Sequence, residues 1–368
     1  MDKQSLKISD FDYNLPTELI AQTPLEPRDA SRLLVVQRTS GTMEHRHFRD
    51  IGDYLRPGDL LVANQSRVIP ARLLGKRAET GGAVEVLLLA ERPDLGQDCW
   101  EALVRPGRRL REGAMILFND ERDAPRLQGE VMERTEAGGR VLRFSTYGNS
   151  EPTNAADPYS LLNVRQLIDE LGRMPLPPYI HEKLNDPERY QTVYARIRGS
   201  AAAPTAGLHF TPQLLEQLRQ QGVRVGFVTL HVGLDTFRPV ECEDVSEHKM
   251  HSEEIDLDAP TAELIRETRA AGGRVVAVGT TTMRVLESVA GFHNGQIEPF
   301  HGHTSLFITP GFHFQAVDAL ITNFHLPRST LLLLVSAFMG KGLMEKAYQE
   351  AIEQRYRFFS FGDAMLLL

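Results

Sequence analysis

Three segments of the chain place hydroxyl, amide or imidazole side chains in a loop that leads directly into a predicted helix. They span Ala203–Pro212, Gly273–Arg284 and Leu320–Thr330. A helix start offers unpaired backbone N–H groups and the positive end of a dipole, which together suit a carboxylate or a phosphate. One such junction is also typical of a helix that is merely well capped. Three of them predict an active or ligand-binding site, because chemistry collects in loops on a rigid scaffold.

The second segment has the simplest pattern. Val275–Val278 is a predicted buried strand, Gly279 a tight turn, and Thr280–Thr282 lead into a helix expected from about Met283. The segment contains neither Gly-x-Gly-x-x-Gly nor Gly-Lys-Ser/Thr. It therefore predicts an anion site that is neither a dinucleotide fingerprint nor a Walker loop.

The other two segments add imidazole and carboxylate groups. Thr211 is a natural N-cap, and the strand predicted after its helix, Val223–His231, ends in a loop that carries His231 and Asp235. In the third segment, Asn323 and His325 follow another predicted strand. Imidazoles have pKa values near neutrality, so these histidines are candidates for proton transfer.

Motifs for metal binding and for nucleophilic catalysis are weak. No His-Glu-x-x-His and no Gly-x-Ser-x-Gly occurs, and the two cysteines, Cys99 and Cys242, form no ligand pair. Solvated or hydrogen-bonded histidine is the commoner fate of close histidine pairs. We expect no metal. The close pairs are His45/His47, His248/His251 and His301/His303.

A run of short strands separates the first part of the chain from the segments above. The strands follow one another closely between about Val68 and Phe144, with turn signals and no helical pattern between them. This predicts a small all-β barrel or sandwich inserted into a mixed α/β domain. We place the larger, discontinuous catalytic domain at residues 1–66 and 152–368, and the smaller β domain at residues 67–151.

Composition excludes several classes of protein. Of the 368 residues, 42% are hydrophobic and 24% charged, which excludes wholesale disorder. The longest apolar run, Leu331–Met339, is too short to cross a bilayer, so no membrane association is expected. Two cysteines exclude a disulfide framework and fit a reducing compartment. With no apolar signal segment near Met1, we expect a cytoplasmic protein.

The formal net charge of −8 argues against a general nucleic-acid coat, but the basic residues are unevenly distributed. Residues 65–77 contain four basic side chains and no acid, and so do residues 105–111. These clusters are typical either of solvated faces or of surfaces that contact phosphates. They are Arg67, Arg72, Lys76 and Arg77, and Arg105, Arg108, Arg109 and Arg111.

Along nearly its whole length the sequence resembles the S-adenosylmethionine:tRNA ribosyltransferase-isomerase family of queuosine biosynthesis. The matching runs occur in one order and are much more specific than any short motif. Two positions depart from the usual pattern: Gln65, in Asn-Gln-Ser, and Asp235, before Thr-Phe. The runs are Leu19–Gln22, Arg28–Val35, Arg67–Arg72, Met174–Ile180, Arg189–Ala195, Ala202–Thr211, Thr229–Gly233, Val278–Thr281, Thr322–Pro327 and Tyr356–Met365.

The resemblance implies a reaction. The ribosyl moiety of S-adenosylmethionine is transferred and isomerised onto the aminomethyl-deazaguanine base of a tRNA anticodon, giving epoxyqueuosine-tRNA, adenine and methionine. It also implies a larger α/β domain built round a central β-barrel with surrounding helices, and a smaller inserted β domain. S-adenosylmethionine serves as ribosyl donor, and we expect a monomer without an obligate protein partner.

The resemblance also directs the assignment of site residues. Proton transfer requires a base and an acid, ribose requires hydrogen-bond partners, and the amino acid carboxylate requires a helix N-terminus. Phosphates require arginines at the rim of the site. The catalytic candidates are His209, His231, His325, Asp235 and Asp363. The candidates for binding S-adenosylmethionine are Thr205, Gly207, Thr280, Thr281, Thr282, Arg284 and Asn323. The candidates for tRNA contact are Arg67, Arg72, Arg105, Arg108, Arg109, Arg189 and Arg196, and Phe210, Phe237 and Phe324 are candidate stacking platforms.

Two alternatives belong to other functional classes. An S-adenosylmethionine-dependent methyltransferase would release S-adenosylhomocysteine, and normally carries a glycine-rich loop after its first strand, which is absent here. A noncatalytic tRNA-binding module would bind tRNA with salt-dependent affinity and leave S-adenosylmethionine unchanged.

Overall fold

The computed structural model describes residues 6–135, 138–148, 163–233, 240 and 242–368. These residues form two compact units. The sheet unit comprises the chain up to Arg67, Pro177–Ile197 and the chain from Ala203 onward. The barrel unit comprises Val68–Leu176 and Arg198–Ala202, so it continues past the expected boundary at residue 151. The domain boundaries themselves remain a prediction.

The described residues form short strands throughout both units. In chain order the strands are β1 (Arg32–Val36), β2 (Met43–His47), β3 (Leu60–Asn64), β4 (Ser66–Val68), β5 (Arg72–Arg77), β6 (Ala83–Glu91), β7 (Cys99–Arg105), β8 (Met115–Asn119), β9 (Pro125–Arg134), β10 (Arg140–Thr146), β11 (Ile197–Ser200), β12 (Arg224–Leu230), β13 (Glu253–Leu257), β14 (Val275–Val278), β15 (Phe300–Thr304), β16 (Ala319–Asn323) and β17 (Ala364–Leu367).

The α-helices are fewer, and all but the first belong to the sheet unit. Among the described residues, no helix is long and apolar enough to span a membrane. The helices are α1 (Val164–Leu171), α2 (Pro212–Gln220), α3 (Ala259–Ala270), α4 (Thr280–Phe292), α5 (Thr330–Met339) and α6 (Lys341–Glu353).

The sheet unit contains an open mixed sheet in the order β15-β13-β12-β3-β14-β16-β17-β1-β2. Its central strands β12, β3, β14 and β16 run parallel to one another. β17 runs antiparallel to β16, with Asn323 opposite Ala364, and β1 runs parallel to β17, with Leu33 opposite Ala364. One edge of the sheet, here called the carboxyl edge, therefore gathers the ends of four parallel strands and the starts of β17 and β1.

The core explains why these strands lie at the centre. Every residue of β3, β14 and β16 is buried, as expected for parallel strands covered on both faces. Leu61, Val276 and Ile321 of these strands share one hydrophobic cluster with Leu214 and Leu218 of α2. The scaffold beneath the carboxyl edge is thus densely packed and suited to hold loops in fixed positions.

The barrel unit is built differently. Strands β5 to β10 form a closed barrel in the order β10-β7-β6-β5-β8-β9, with every neighbouring pair antiparallel. Its interior is filled by apolar side chains, among them Trp100, Phe118 and Phe144. At Gly75 an added Cβ would lie 2.7 Å from the carbonyl oxygen of Leu117, so this strand crossing requires a glycine.

The mixed α/β class and a β-barrel insertion are confirmed, but the barrel lies in the smaller unit, which also contains α1. We expected a central barrel in the larger domain, which instead carries the open nine-stranded sheet. The physical reason is the strand pattern: parallel strands buried on both faces need helices on either side. The short antiparallel strands of the insertion close on themselves and leave no sheet edge.

Candidate active site

The three segments singled out in the sequence meet at the carboxyl edge of the open sheet. β14 ends directly before Gly279, and β16 ends at Asn323. Because β14 and β16 are adjacent and parallel, the loops that follow them are neighbours. Ligands of open α/β sheets bind outside the carboxyl ends of their strands, which is where these polar loops lie.

A cavity of about 320 Å³ opens at this edge. Of the residues predicted to act on the substrate, Thr205, Thr280, Thr281, Asn323 and His325 line it. The volume is at the lower end of the range of about 300 to 1,000 Å³ that is usual for small-molecule sites. Its polar lining residues are Tyr179, Thr205, Thr280, Thr281, Thr322, Asn323, His325, Arg328, Ser329 and Ser360.

The N-terminus of α4 forms one wall of the cavity. Its N-cap, Gly279, has a φ of +89°, a conformation that favours glycine, and a glycine has no side chain with which to cap the helix. The helix therefore begins at Thr280, three residues before the predicted start at Met283. The N–H groups of its first turn carry the positive end of the helix dipole. Because Gly279, Thr280 and Thr281 line the cavity, this wall suits an anionic group.

His325 lies on the cavity wall and is held by three hydrogen bonds. Its Nε2 is 2.8 Å from the Thr322 Oγ1, its backbone N–H donates to the Tyr348 hydroxyl at 3.0 Å, and its carbonyl oxygen accepts from the Tyr13 hydroxyl. Burial lowers the pKa of His325 to about 3. Its imidazole is therefore neutral at physiological pH and adds no positive charge to the cavity.

His209 lies behind the cavity wall. The ring is buried, stacks on Phe48 and contacts Ser31 through Nδ1 at 2.7 Å and Asn323 through Nε2 at 3.3 Å. Burial lowers its pKa to about 4, so this imidazole is also neutral. Among the described residues His209 is not part of the cavity lining. It contacts Asn323, which lines the cavity, and it shares a second, small pocket with Ser360.

Among the described residues, no catalytic candidate other than His325 lines the cavity. His231 follows β12 and is partly buried, and its backbone N–H donates to the Glu254 carbonyl at 3.2 Å. Asp235 lies outside the described residues. Asp363 is buried, and its two carboxylate oxygens accept the backbone N–H groups of Arg32 and Arg357, both at 2.8 Å. Burial raises the pKa of Asp363. Its two hydrogen bonds join the start of β1 to the turn before β17, so its role is structural.

Three of the residues expected to bind S-adenosylmethionine make contacts within the fold. Thr282 donates to the Val278 carbonyl at 2.8 Å, and the buried Arg284 forms an ion pair with Glu253. Gly207 is required for packing, since a Cβ there would lie 2.1 Å from the Tyr194 hydroxyl oxygen. All three fall outside the lining described for the cavity.

The chain is similar to known proteins along nearly its whole length. A family model described as "Queuosine biosynthesis protein" matches residues 8–367. The chain belongs to this family. It is 58% identical, over 99% of its length and all of the relative, to the S-adenosylmethionine:tRNA ribosyltransferase-isomerase of Symbiobacterium thermophilum. It is 53% identical to the enzyme of the same name from Heliobacterium modesticaldum, again over 99% of this chain and all of the relative.

A solved structure is similar as well. The crystal structure of S-adenosylmethionine tRNA ribosyltransferase from Thermotoga maritima is 43% identical and has a TM-score of 0.53. The match covers 98% of this chain and all of that one. The relationship to the queuosine biosynthesis family therefore extends over both units rather than over one of them.

Several cavity residues of this family member were not predicted from the sequence. The Tyr179 and Ser360 hydroxyl oxygens lie 2.7 Å apart, and the rings of Tyr179 and Phe359 are 4.9 Å apart. Arg328 also lines the cavity and has a φ of +56°, which is rare outside glycine. A signal existed for three of them, because Tyr179, Phe359 and Ser360 lie in the runs Met174–Ile180 and Tyr356–Met365 that carry the family resemblance.

The aromatic candidates mostly belong to the core. Phe210 is buried and packs edge-on against Phe48, at 4.9 Å between ring centroids. Phe324 is fully buried although some of its atoms line the cavity, and Phe237 lies outside the described residues. A stacking platform needs an accessible ring face, so neither Phe210 nor Phe324 offers one in this conformation.

The arginines predicted to contact tRNA occupy different environments. Three form ion pairs: Arg67 with Glu188, Arg72 with Glu85 at 3.2 Å, and Arg189 with Glu26 at 2.9 Å. A carboxylate partner offsets much of the charge that a phosphate would meet.

Arg105, Arg108 and Arg196 are more accessible. Arg105 and Arg108 are exposed at the end of β7 and in the turn after it, and the side chain of Arg109 is outside the description. Arg196 is exposed, and its Nε donates to the Gln65 amide oxygen. Gln65 also donates to the Thr229 hydroxyl at 3.2 Å, so this departure from the family pattern is accommodated by hydrogen bonds.

No group of three or more histidine, cysteine or acidic side chains that could hold a metal ion occurs within the described part of the chain. Cys99 and Cys242 are both free cysteines. The expectation that the reaction uses no metal stays a prediction.

Proposed function

We propose that this protein transfers and isomerises the ribosyl moiety of S-adenosylmethionine onto the aminomethyl-deazaguanine base of a tRNA anticodon. The products are epoxyqueuosine-tRNA, adenine and methionine. The observation that carries the proposal is the meeting of three sequence segments around one cavity, each of which overlaps a run of the family resemblance. S-adenosylmethionine is consumed as the ribosyl donor.

The α4 N-terminus is the proposed site for the carboxylate of S-adenosylmethionine. Thr280 and Thr281, in the first turn of α4, line the cavity, and the N–H groups of a helix's first turn have no partner within the helix. Arg284 is not used in this role, because its ion pair with the buried Glu253 already offsets its charge. The hydrogen bond from His251 and the charge of Arg284 together outweigh the effect of burial and lower the pKa of Glu253 to about 2.

The electrostatics of the cavity suit a sulfonium. A positive wall would repel the cationic sulfur, but the buried imidazole of His325 and the one behind Asn323 are both neutral. The cavity wall also carries the aromatic rings of Tyr179 and Phe359, and aromatic faces attract cations. Arg328 is the cationic side chain in the described lining, and Asp12 and Glu243 lie 3.8 and 3.5 Å from it.

His325 is the proposed proton carrier. The sulfonium acidifies the adjacent C5′–H of the ribose, and the His325 imidazole accepts that proton. The low pKa of His325 makes its imidazole a weak base and its imidazolium a strong acid, so it holds the proton only transiently and returns it to the departing adenine. The tRNA amine then attacks the opened sugar, and methionine leaves as the epoxide closes.

The experiment is a product assay. The protein is mixed with S-adenosylmethionine and tRNA that carries the aminomethyl base, and adenine and methionine are quantified by mass spectrometry. We expect both in equal amounts, and neither with tRNA that lacks the aminomethyl group. Formation of S-adenosylhomocysteine would indicate a methyltransferase. Salt-dependent tRNA binding with unchanged S-adenosylmethionine would indicate a noncatalytic binding module.

The oligomeric state, the cellular compartment and the domain division rest on other observations. We propose a cytoplasmic monomer with a catalytic domain at residues 1–66 and 152–368 and an inserted β domain at residues 67–151. The two free cysteines support a reducing compartment, and the two compact units support the division of the chain. Light scattering of the purified protein tests the monomer: a mass near 41.3 kDa is expected, and twice that mass would contradict it.

A further inference from the structure

His209 is fully enclosed, yet both of its ring nitrogens have partners. The Ser31 hydroxyl lies 2.7 Å from Nδ1 and the Asn323 amide oxygen 3.3 Å from Nε2. The ring stacks on Phe48 with 4.9 Å between centroids and 26° between planes. These contacts fix both the position and the rotation of the imidazole.

The partners also determine which nitrogen carries the proton. The amide nitrogen of Asn323 donates to the Phe359 carbonyl at 2.8 Å, which turns the amide oxygen toward His209. An amide oxygen can only accept, so Nε2 of His209 must carry a proton. Burial and the nearby charges of Arg357 and Arg28 disfavour the imidazolium, so Nδ1 is unprotonated and accepts from Ser31. The other acceptor within reach of the Ser31 hydroxyl, the Arg28 carbonyl oxygen, is farther away, at 3.3 Å against 2.7 Å.

The Asn323 amide also holds a strained turn in position through a hydrogen bond. Phe359 has a φ of +69°, which is costly for a bulky L-residue. Its carbonyl accepts from the Asn323 amide at 2.8 Å and from the Gly362 N–H at 2.9 Å. The next residue is Ser360, whose hydroxyl meets Tyr179 on the cavity wall. The sheet explains the convergence, because Ser31, Asn323 and the turn before β17 all lie at the carboxyl edge.

We propose that His209 is a positioning residue, whose neutral ring fixes the Asn323 amide and thereby the Phe359–Ser360 turn that shapes the cavity. It exchanges no proton with the substrate. The loss of activity expected below rests on the proposed function, whereas the protonation state of the ring can be measured without any substrate.

The first test is NMR of the full-length protein with 15N-labelled histidine. One of the 12 histidine signals disappears in the His209→Gln variant, which assigns it. We expect that signal to report a neutral ring protonated at Nε2 from pH 8 down to pH 5.5. A ring that titrates near pH 6.5, or one protonated at Nδ1, overturns the proposal whatever the protein catalyses.

The second test compares turnover in two variants with adenine release as the readout. Gln can place an N–H where Nε2 stood, so His209→Gln should keep kcat within about fivefold, whereas His209→Ala should lower it by about a hundredfold, as small misplacements can. The decrease of kcat at low pH should occur at the same pH in His209→Gln as in the wild type. Equal losses in both variants, or loss of that decrease in His209→Gln, would make His209 the base and overturn the proposal.

A matched control is His45→Gln. The His45 Nδ1 also meets a hydroxyl, that of Tyr356 at 2.8 Å, but this ring is part-exposed and lies outside the described lining of the cavity. Its turnover should equal that of the wild type. If His209→Ala does not fold, His209→Gln and the NMR measurement still decide the matter.

Discussion

The two units differ sharply in the chemistry that they contain. All 12 histidines of the chain lie in the sheet unit, and residues 68–176 and 198–202 of the barrel unit contain none. The open sheet leaves the ends of four parallel strands side by side, where polar loops can surround a cavity. The closed barrel fills its interior with apolar side chains, and Arg105 and Arg108 are exposed on its surface. Catalysis is therefore expected from the first unit and surface contact from the second.

The largest expected effect falls on the sheet unit. His325→Ala removes the proposed proton carrier and should lower the rate of adenine release by at least about a hundredfold. The measurement is a single-turnover assay with saturating S-adenosylmethionine and tRNA. Leu74→Ala, at an exposed position of the barrel, is the control and should leave the rate unchanged. Full turnover by His325→Ala would remove His325 from the mechanism.

Acidification should weaken the sheet unit selectively. The pKa values of His209 and His325 are lowered from 6.5 to about 4 and about 3 in the folded protein. The unfolded chain then binds more protons, so the stabilisation is complete above pH 6.5 and is lost as the pH falls toward 4. At pH 5 each buried imidazole should cost on the order of 2 kcal/mol relative to pH 7.5.

Urea unfolding with pulsed hydrogen exchange measures this effect in each unit. Peptides of β14 and β16 should lose protection at lower urea at pH 5, and His325→Gln should reduce that shift. The fluorescence of Trp100, the single tryptophan, reports the barrel, whose midpoint should move little. If the urea midpoint of the barrel falls as much as that of the sheet unit between pH 7.5 and pH 5, the predicted difference between the two units is wrong.

Alanine substitutions at two glycines distinguish the effect of backbone strain from an effect on ligand binding. Gly279 and Gly113 have φ values of +89° and +78°, and an added Cβ meets nothing closer than 3.5 Å at the first and nothing within 4 Å at the second. Alanine should destabilise either unit by about 1 to 2 kcal/mol. Only Gly279→Ala, at the start of α4, should also raise the KM for S-adenosylmethionine, by about tenfold. An equal KM in the two variants would argue against the anion site.

The smallest expected effect concerns tRNA. Neutralising Arg105 and Arg108 together with glutamine should raise the KM for tRNA by about fivefold and reduce its dependence on salt. The KM for S-adenosylmethionine and the product ratio should not change. Arg122→Gln, in the exposed β8–β9 turn of the same barrel, is the control. Identical salt dependence in all three proteins would exclude these two arginines from the tRNA contact.

Local signals were sufficient for most of the secondary structure. The six strands of the barrel and strands β3, β14 and β16 follow from apolar patterns and turn residues, and α2 follows from Thr211, which caps it as expected. The choice between a barrel and a sandwich for these strands stayed open, because closure depends on pairing between strands rather than on any one strand. The start of α4 was missed because the φ of Gly279 decides it.

The site was predictable where a polar residue directly follows a central parallel strand. Thr280, Thr281, Asn323 and His325 satisfy that condition and line the cavity. Arg284 and Asp363 were predicted only because their side chains carry suitable charges. In the structure Arg284 pairs with Glu253, and Asp363 accepts hydrogen bonds from backbone N–H groups. Tyr179 and Ser360 come from distant parts of the chain, and their meeting at 2.7 Å depends on tertiary structure.

The most direct test of the account is a crystal structure of the protein with S-adenosylmethionine. We predict that the ligand occupies the cavity at the carboxyl edge, with its carboxylate within hydrogen-bond distance of the Thr280 and Thr281 N–H groups and its ribose facing Asn323 and His325. A ligand bound elsewhere, or one whose carboxylate pairs with Arg284, would contradict the account.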